Sequence, residues 1–335
     1  MRHRHGEDAA NDTGRTGRPP PRSVLFFPGH RREMLDGALA SGADAVCLDL
    51  EDAVPPSGKD DARSAARAAL ERTSDAGRLE APAPADAGSG SGGRASVELL
   101  VRVNAPSGRE GRRDLRDVRE ASGRPAAVVV PGAASVDELD RVAGELSVPV
   151  VALVESPEGL AAAESMAREA NALRALALGP VDMARHLGCE LDWEPLLYTR
   201  SRLVHAAALG GVPVLDGPYT ELSDPEGLAR EARAARRLGF DGKLALHPRQ
   251  VEAVNRAFTP SEDEVAEARA VLSAFEEAGG EAVRVGGRMV DRPVAEAARR
   301  LLSRARRAGG SGEGPRSSAG EDDGDLPGGE RGPGG

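Results

Sequence analysis

Eight short apolar runs recur along the chain, each followed by a segment of helical period, and that alternation demands a parallel sheet with helices over its faces. The runs are 23–28 SVLFFP, 45–50 AVCLDL, 98–103 ELLVRV, 126–130 AAVVV, 149–154 PVVALV, 174–178 RALAL, 212–215 VPVL and 243–247 KLALH. Helices are expected over 31–41, 59–72, 110–121, 135–146, 158–170, 194–209, 225–238 and 249–257, several opened by Pro or an acidic residue. Eight βα units in strict order fit a closed (β/α)8 TIM barrel better than an open doubly wound sheet. Two further helical segments, EDEVAEARAVLSAFEEAGG and RPVAEAARRLLSRARRA, exceed what the barrel needs and are expected to form a C-terminal helical lid or oligomer arm. Their apolar residues, among them Val265, Phe275, Val294 and Leu302, need burial, most simply against another subunit.

The expected organisation is a disordered tail at 1–21, a barrel over 22–258, a lid over 259–307 and a second disordered tail at 308–335. A flexible insert, APAPADAGSGSGGRAS, interrupts the barrel at 81–96. These excluded segments are rich in Gly, Pro, Ser and charge and lack the apolar residues that offset ordering entropy. With 40% hydrophobic residues in 335, the remainder can bury a sizeable core. A formal net charge of −10 argues against a general nucleic-acid or anionic-membrane surface. The N-terminal stretch has no apolar segment of signal-peptide type, and no run reaches membrane-span length, so a cytoplasmic protein is expected. Cys47 and Cys189 lack C-x-x-C spacing and are read as inert.

In a parallel barrel the reactive groups stand at the C-terminal ends of the strands and in the loops that follow. Here those places carry PGHRR, DLED (Asp49, Glu51, Asp52), Arg102-Val-Asn104, Glu155-Ser-Pro, GPVDMARHLG, DGPYTEL and His247-Pro-Arg-Gln. Glu155 and Asp182 each follow an uninterrupted apolar strand, and the two strands are consecutive. Strands under ~5 Å apart would let both carboxylates share one hard cation, leaving other positions to water and substrate oxygens. The alternative is a pair of solvated loop acids, and no short motif enforces the choice. Arg102, in an otherwise apolar strand, either faces anions at the barrel mouth or pairs with an acid at a helix–sheet seam.

Taken together the blocks RSVLFFPG, GADAVCLDLEDAV, KDDAR, VRVN, ALVESPEGL, LGPVDMARHLG, YTRSRLVHAAALGGVPVLDGPYTEL, LALHPRQ and GGRMVDRPV resemble the citrate lyase β-subunit family of CoA-ester lyases. This group includes malyl-CoA and citramalyl-CoA lyases and lies within the HpcH/HpaI aldolase superfamily; the likeness runs over residues 22–304. The resemblance implies that Glu155 and Asp182 bind Mg2+ and that Arg102 holds the carboxylate of a 2-keto acid. It makes Glu51 and Asp52 the acidic cluster that supports bound water and substrate, Asp49 being structural. It makes Asp291, in MVD, a lid acid/base group that reaches a neighbouring subunit's site in a trimer. Arg22 and Lys59 match positions that would bind the CoA phosphates. Two departures stand out: Gly37 and Gly132 occupy positions where many relatives carry Lys.

The implied reaction is Mg2+-dependent cleavage, or formation, of a 3-hydroxyacyl-CoA such as citramalyl-CoA or malyl-CoA, with acetyl-CoA and a 2-keto acid as the other partners. Two alternatives are a metal-dependent aldolase acting on free pyruvate and an aldehyde, and a non-catalytic acyl-CoA-binding subunit. Thioesterase or synthase chemistry at the same site is also compatible with the sequence.

Overall fold

The computed structural model describes residues 19–82 and 96–309. The tails expected at 1–21 and 308–335 and the insert expected at 81–96 fall outside the described residues except at their edges, where Ser96 already belongs to a strand and the last helix runs to Gly309.

Eight parallel strands close on one another: β1 (Ser23–Pro28), β2 (Ala45–Asp49), β4 (Ser96–Arg102), β5 (Ala127–Val130), β6 (Val150–Val154), β7 (Leu173–Leu178), β8 (Val214–Asp216) and β9 (Gly242–Ala245). Neighbours in sequence pair in turn, β2 pairs with β4, and β9 returns to β1 with Val24 beside Leu244. This is the expected (β/α)8 barrel. A strand missed in the sequence, β3 (Arg78–Glu80), adds an antiparallel edge to the start of β4.

The helices are α1 (Met34–Leu39), α2 (Lys59–Leu70), α3 (Arg109–Glu120), α4 (Val136–Leu146), α5 (Pro157–Glu169), α6 (Pro180–Leu187), α7 (Leu197–Gly210), α8 (Pro225–Leu238) and α9 (Pro248–Phe258). Ser135, Ser156 and Asp224 cap α4, α5 and α8 through side-chain acceptors. Among the described residues no helix is long and apolar enough to cross a membrane.

Period two along each strand divides the core into two layers. Residues such as Val46, Leu48, Leu99, Val101 and Leu176 pack outward against the helices. Ala45 and Cys47 on β2, Leu100 on β4, Leu153 on β6 and Ala177 on β7 fill the barrel interior. Two residues further along these inward rows come Asp49, Arg102, Glu155 and Gly179, at the C-terminal mouth. The same alternation turns Asp216 and Lys243 outward, under α7 and α8, where both are fully buried. Lys243 Nζ donates to Asp216 (2.6 Å), Glu231 (2.7 Å) and the Gly217 carbonyl (2.6 Å), while Arg200 Nε donates to Asp216 (3.0 Å). Burial works to raise the Asp216 pKa, but Lys243 and Arg200 outweigh it and hold the carboxyl below its ordinary value.

After the barrel come α10 (Glu262–Glu277), the hairpin β10 (Val283–Val285) and β11 (Arg288–Val290), and α11 (Arg292–Gly309). The expectation that the arm's apolar residues need another subunit is corrected in part: Ala268, Ala298 and Leu302 pack with Val265, Leu272 and Leu301, and Phe275 packs with Val290 and Ala295. Met289 and Val294 stay exposed.

Candidate active site

The inward row places the Arg102 guanidinium beside Asp49, with Nε and Nη2 donating to its two oxygens at 2.7 and 2.6 Å. Nη1 lies 2.8 Å from Glu51 and 3.3 Å from Asp52. Glu51 Oε2 is nevertheless a buried oxygen without a hydrogen bond, since its approach to Nη1 is close but misaligned. Burial works against the Arg102 charge, yet Asp49, Glu51 and Asp52 outweigh it and push its pKa further up.

Glu155 stands just past the end of β6. Gly132, in the loop after β5, donates its N–H to Glu155 Oε1 at 2.7 Å from a left-handed backbone (φ +59°). Gly179 packs from the other side: a Cβ there would come within 2.6 Å of Glu155 Cβ and 2.7 Å of Oε2, so only glycine leaves the carboxylate in place. Asp182 lies in the first turn of α6, a helix where the sequence reading had only a loop, and accepts from Arg185 at 2.9 and 3.2 Å. On the same helix, His186 Nδ1 is 3.1 Å from the Glu155 carbonyl; a carbonyl only accepts, so this nitrogen carries the proton.

These acids feel one another. Burial, reinforced by Asp182 and Asp52 and opposed by the Gly132 N–H and Arg102, raises the Glu155 pKa to about 7. Burial raises Glu51 to about 8, with Arg102 opposing and Asp52, Glu155 and Asp49 adding to the rise. Glu51, Asp52, Arg102, Glu155 and Asp182 are therefore gathered at one mouth. Carboxyls whose ionisation is opposed by burial among like charges suit a hard divalent cation. Among the described residues no group of three or more His, Cys, Asp or Glu side chains is placed to hold a metal ion.

Three residues assigned from the sequence are taken up by other partners. Arg22 precedes β1, at the opposite end of the barrel, where Asp44 takes its Nε and Nη2 (2.9 and 2.7 Å) and Thr259 its Nη1 (2.9 Å). It is a clamp between the starts of two strands, which corrects its assignment to CoA phosphate. Lys59 is at the mouth, but Nζ donates to the Leu50 and Glu51 carbonyls (both 2.7 Å) and to Asn104 Oδ1 (2.8 Å), using all three donors to hold the acidic loop. Behind it Asn104 leans on Asp114 (2.6 Å), itself held by Arg63 (2.7 Å), a support the sequence reading missed. Asp291 caps the start of α11, accepting the Val294 N–H at 3.3 Å, and meets no barrel side chain among the described residues.

Residues 22–82 and 91–248 match the HpcH/HpaI aldolase/citrate lyase family. The chain belongs to that family. Residues 196–309 also match the carbon–carbon-bond lyases of the TIM-barrel fold. Citrate lyase subunit beta of Leuconostoc mesenteroides subsp. cremoris is 33% identical over 296 residues, spanning 84% of this chain and 92% of that protein. L-malyl-CoA/beta-methylmalyl-CoA lyase of Cereibacter sphaeroides is 33% identical over 311 residues, spanning 82% of this chain and 92% of that one. The crystal structure of protein CitE from Mycobacterium tuberculosis, in complex with magnesium, acetoacetate and coenzyme A, superposes with a TM-score of 0.69. It is 31% identical and the match covers 85% of this chain and 97% of that one. The protein is thus a carbon–carbon lyase of a family that includes CoA-ester lyases.

Proposed function

We propose that the protein cleaves a 3-hydroxyacyl-CoA whose carbinol carbon bears a carboxylate, giving a 2-keto acid and acetyl-CoA, with Mg2+ as cofactor. The observation that carries this reading is the meeting of Arg102 with Glu51, Asp52, Glu155 and Asp182 at one barrel mouth. The magnesium, acetoacetate and coenzyme A bound by the mycobacterial relative support it.

Glu155 and Asp182 are the residues that would hold the cation, which supplies Lewis-acid polarisation of the substrate hydroxyl. Arg102 binds the substrate carboxylate. Glu51, half-buried at the rim with one oxygen free of hydrogen bonds, accepts the hydroxyl proton in its ionised form, and exposed Asp52 shares that rim. As the proton leaves, the C–C bond breaks, the carbinol carbon becomes the ketone, and the electron pair passes to the thioester enolate. Asp291 donates the proton that quenches the enolate. Turnover of a panel of such thioesters with Mg2+, and its loss in excess chelator, tests the reading; full activity in chelator would overturn it.

The acid pair gives a sign to the pH dependence. Between about 4.5 and their raised values near 7 and 8, Glu155 and Glu51 hold protons in the folded chain that they release on unfolding. Without metal, their stabilising contribution is therefore fully present below the ordinary carboxyl pKa and is lost as pH rises through those values. A cation needs the ionised carboxylate, so the thermal shift on adding Mg2+ should grow as pH is raised from about 6 to about 8. A shift that shrinks over that range would contradict the assignment of Glu155.

The arm's placement bears on Asp291. Glu264 at the start of α10 meets Arg236 in the last turn of α8 (2.9 Å), and Arg304 of α11 meets Asp241 (2.7 Å), just before β9. Both anchors lie at the N-terminal end of the barrel. Asp291 is thirteen residues from Arg304, roughly 20 Å along a helix, beside exposed Met289 and Val294. In a homotrimer these residues would cover a neighbour's mouth, where Val181, Leu187, Leu197 and Tyr198 are exposed. Mixing inactive Glu155→Ala and Asp291→Ala subunits should then restore part of the activity, because some sites regain both residues. No rescue after verified subunit exchange would place Asp291 within its own chain or outside the chemistry.

A further inference from the structure

Asp49 is 1% exposed, on the inward face of β2, beside Arg102 on the adjoining strand β4. Its oxygens take Nε and Nη2 of Arg102 at 2.7 and 2.6 Å and also accept the N–H groups of Glu51 (2.8 Å) and Ala53 (3.0 Å). Four hydrogen bonds thus fix the carboxylate, which in turn fixes the guanidinium along its side edge. A guanidinium carries five N–H donors in a planar fork. The side-edge grip uses the Nε–H and one Nη2–H, leaving the outer edge, Nη1 with the second Nη2–H, turned away from Asp49. The Phe26 ring lies 5.4 Å from the guanidinium carbon and covers one of its faces. On the outer edge the acids are less committed: Glu51 is misaligned, and Asp52, 3.3 Å away, is 66% exposed and free to swing off.

We propose that Asp49 is a positioning residue whose grip on the side edge of Arg102 presents the outer edge as a two-pronged receptor for the carboxylate of a 2-keto acid. This deepens the function proposed above and rests on its reading of Arg102. Lys59 serves the same end from behind, since the carbonyls it holds belong to the loop whose N–H groups bind Asp49. Replacing Asp49 by Asn keeps the shape but turns one acceptor into an N–H2 group that faces a guanidinium donor, so the fork can no longer be held on both nitrogens.

The test is calorimetric titration of pyruvate, oxaloacetate and, separately, coenzyme A into the full chain with Mg2+, for wild type, Asp49→Asn, Arg102→Lys and the double variant. Asp49→Asn should raise the keto-acid Kd about 10- to 100-fold, the range for an outer partner that orients a binding group. The Kd for coenzyme A should stay within about twofold. In the Arg102→Lys background the Asp49 change should add little, because the fork it positions is already gone. A crystal structure of Asp49→Asn should show the guanidinium rotated from its side-on pairing. If the amide variant does not fold, Asp49→Glu carries the test, since a longer carboxylate keeps the charge but displaces the fork. Keto-acid binding equal to wild type in the variant that folds would overturn the inference. So would equal weakening of keto acid and coenzyme A, or the same factor in the Arg102→Lys background. A wild-type chain that binds neither keto acid overturns the reading of Arg102 and this inference with it; a binding wild type matched by the Asp49 variant overturns the inference alone.

Discussion

Glu155→Ala and Asp182→Ala are each expected to lose about a thousandfold or more in turnover while leaving the fold intact. Losing a ligand to the cation removes several kcal/mol of transition-state stabilisation, and ~4 kcal/mol corresponds to that factor. The fold should survive because neither residue carries the core. Asp182 is 36% exposed and its partner within the chain is Arg185 on the same helix, while Glu155 lies past the end of β6. Without metal, Glu155→Ala also removes a carboxyl that is costly to ionise. Steady-state kinetics with saturating Mg2+, alongside thermal melts, would check both halves. Near-normal turnover in either variant would return that residue to the class of solvated loop acids.

The second large effect is on stability. Lys243→Met should destabilise the protein by about 3–5 kcal/mol, the cost of leaving a buried charge without its partner. Asp216 and Lys243 are both fully buried, and Arg200 Nη1 is already a buried donor with no hydrogen bond, its guanidinium stacked 4.6 Å from the Trp193 ring. Removing Lys243 leaves Arg200 alone to answer both Asp216 and Glu231. Adding Asp216→Asn should recover part of the loss, since the stranded charge goes with it. Urea unfolding reports both. A loss no larger than the ~0.5 kcal/mol of an ordinary surface change would contradict it.

The barrel was legible because its strands are short apolar runs, each followed by a segment of helical period. The helix Pro180–Leu187 was not read, although Pro at its first position and Gly188 in left-handed conformation just past its end are helix signals; its eight residues were too few for a period. Position alone put Asp49, Arg102 and Glu155 at strand ends and left their roles open; the resemblance supplied the roles, and parity along the strands carries all three onto one inward face. That same rule speaks against Arg22 as a mouth residue, since it precedes its strand and so belongs to the other end. Lys59 was harder: two of its three acceptors are backbone carbonyls, which leave no mark in a sequence. The network of Arg200, Asp216, Glu231 and Lys243 was hidden for a different reason. Its members come from two strands and two helices, and each alone reads as an ordinary charged residue.

The most direct measurement is the identity of both products when purified protein and Mg2+ act on citramalyl-CoA, malyl-CoA and related 3-hydroxyacyl-CoA thioesters. The keto acid is trapped as its hydrazone, and the CoA species are separated by chromatography. The expected result is one 2-keto acid released per acetyl-CoA for at least one thioester, abolished by Glu155→Ala. Free coenzyme A with the intact hydroxy acid would instead mean hydrolysis of the thioester with no carbon–carbon cleavage. No turnover of any thioester, with consumption of free pyruvate and an aldehyde, would contradict the CoA-ester reading outright.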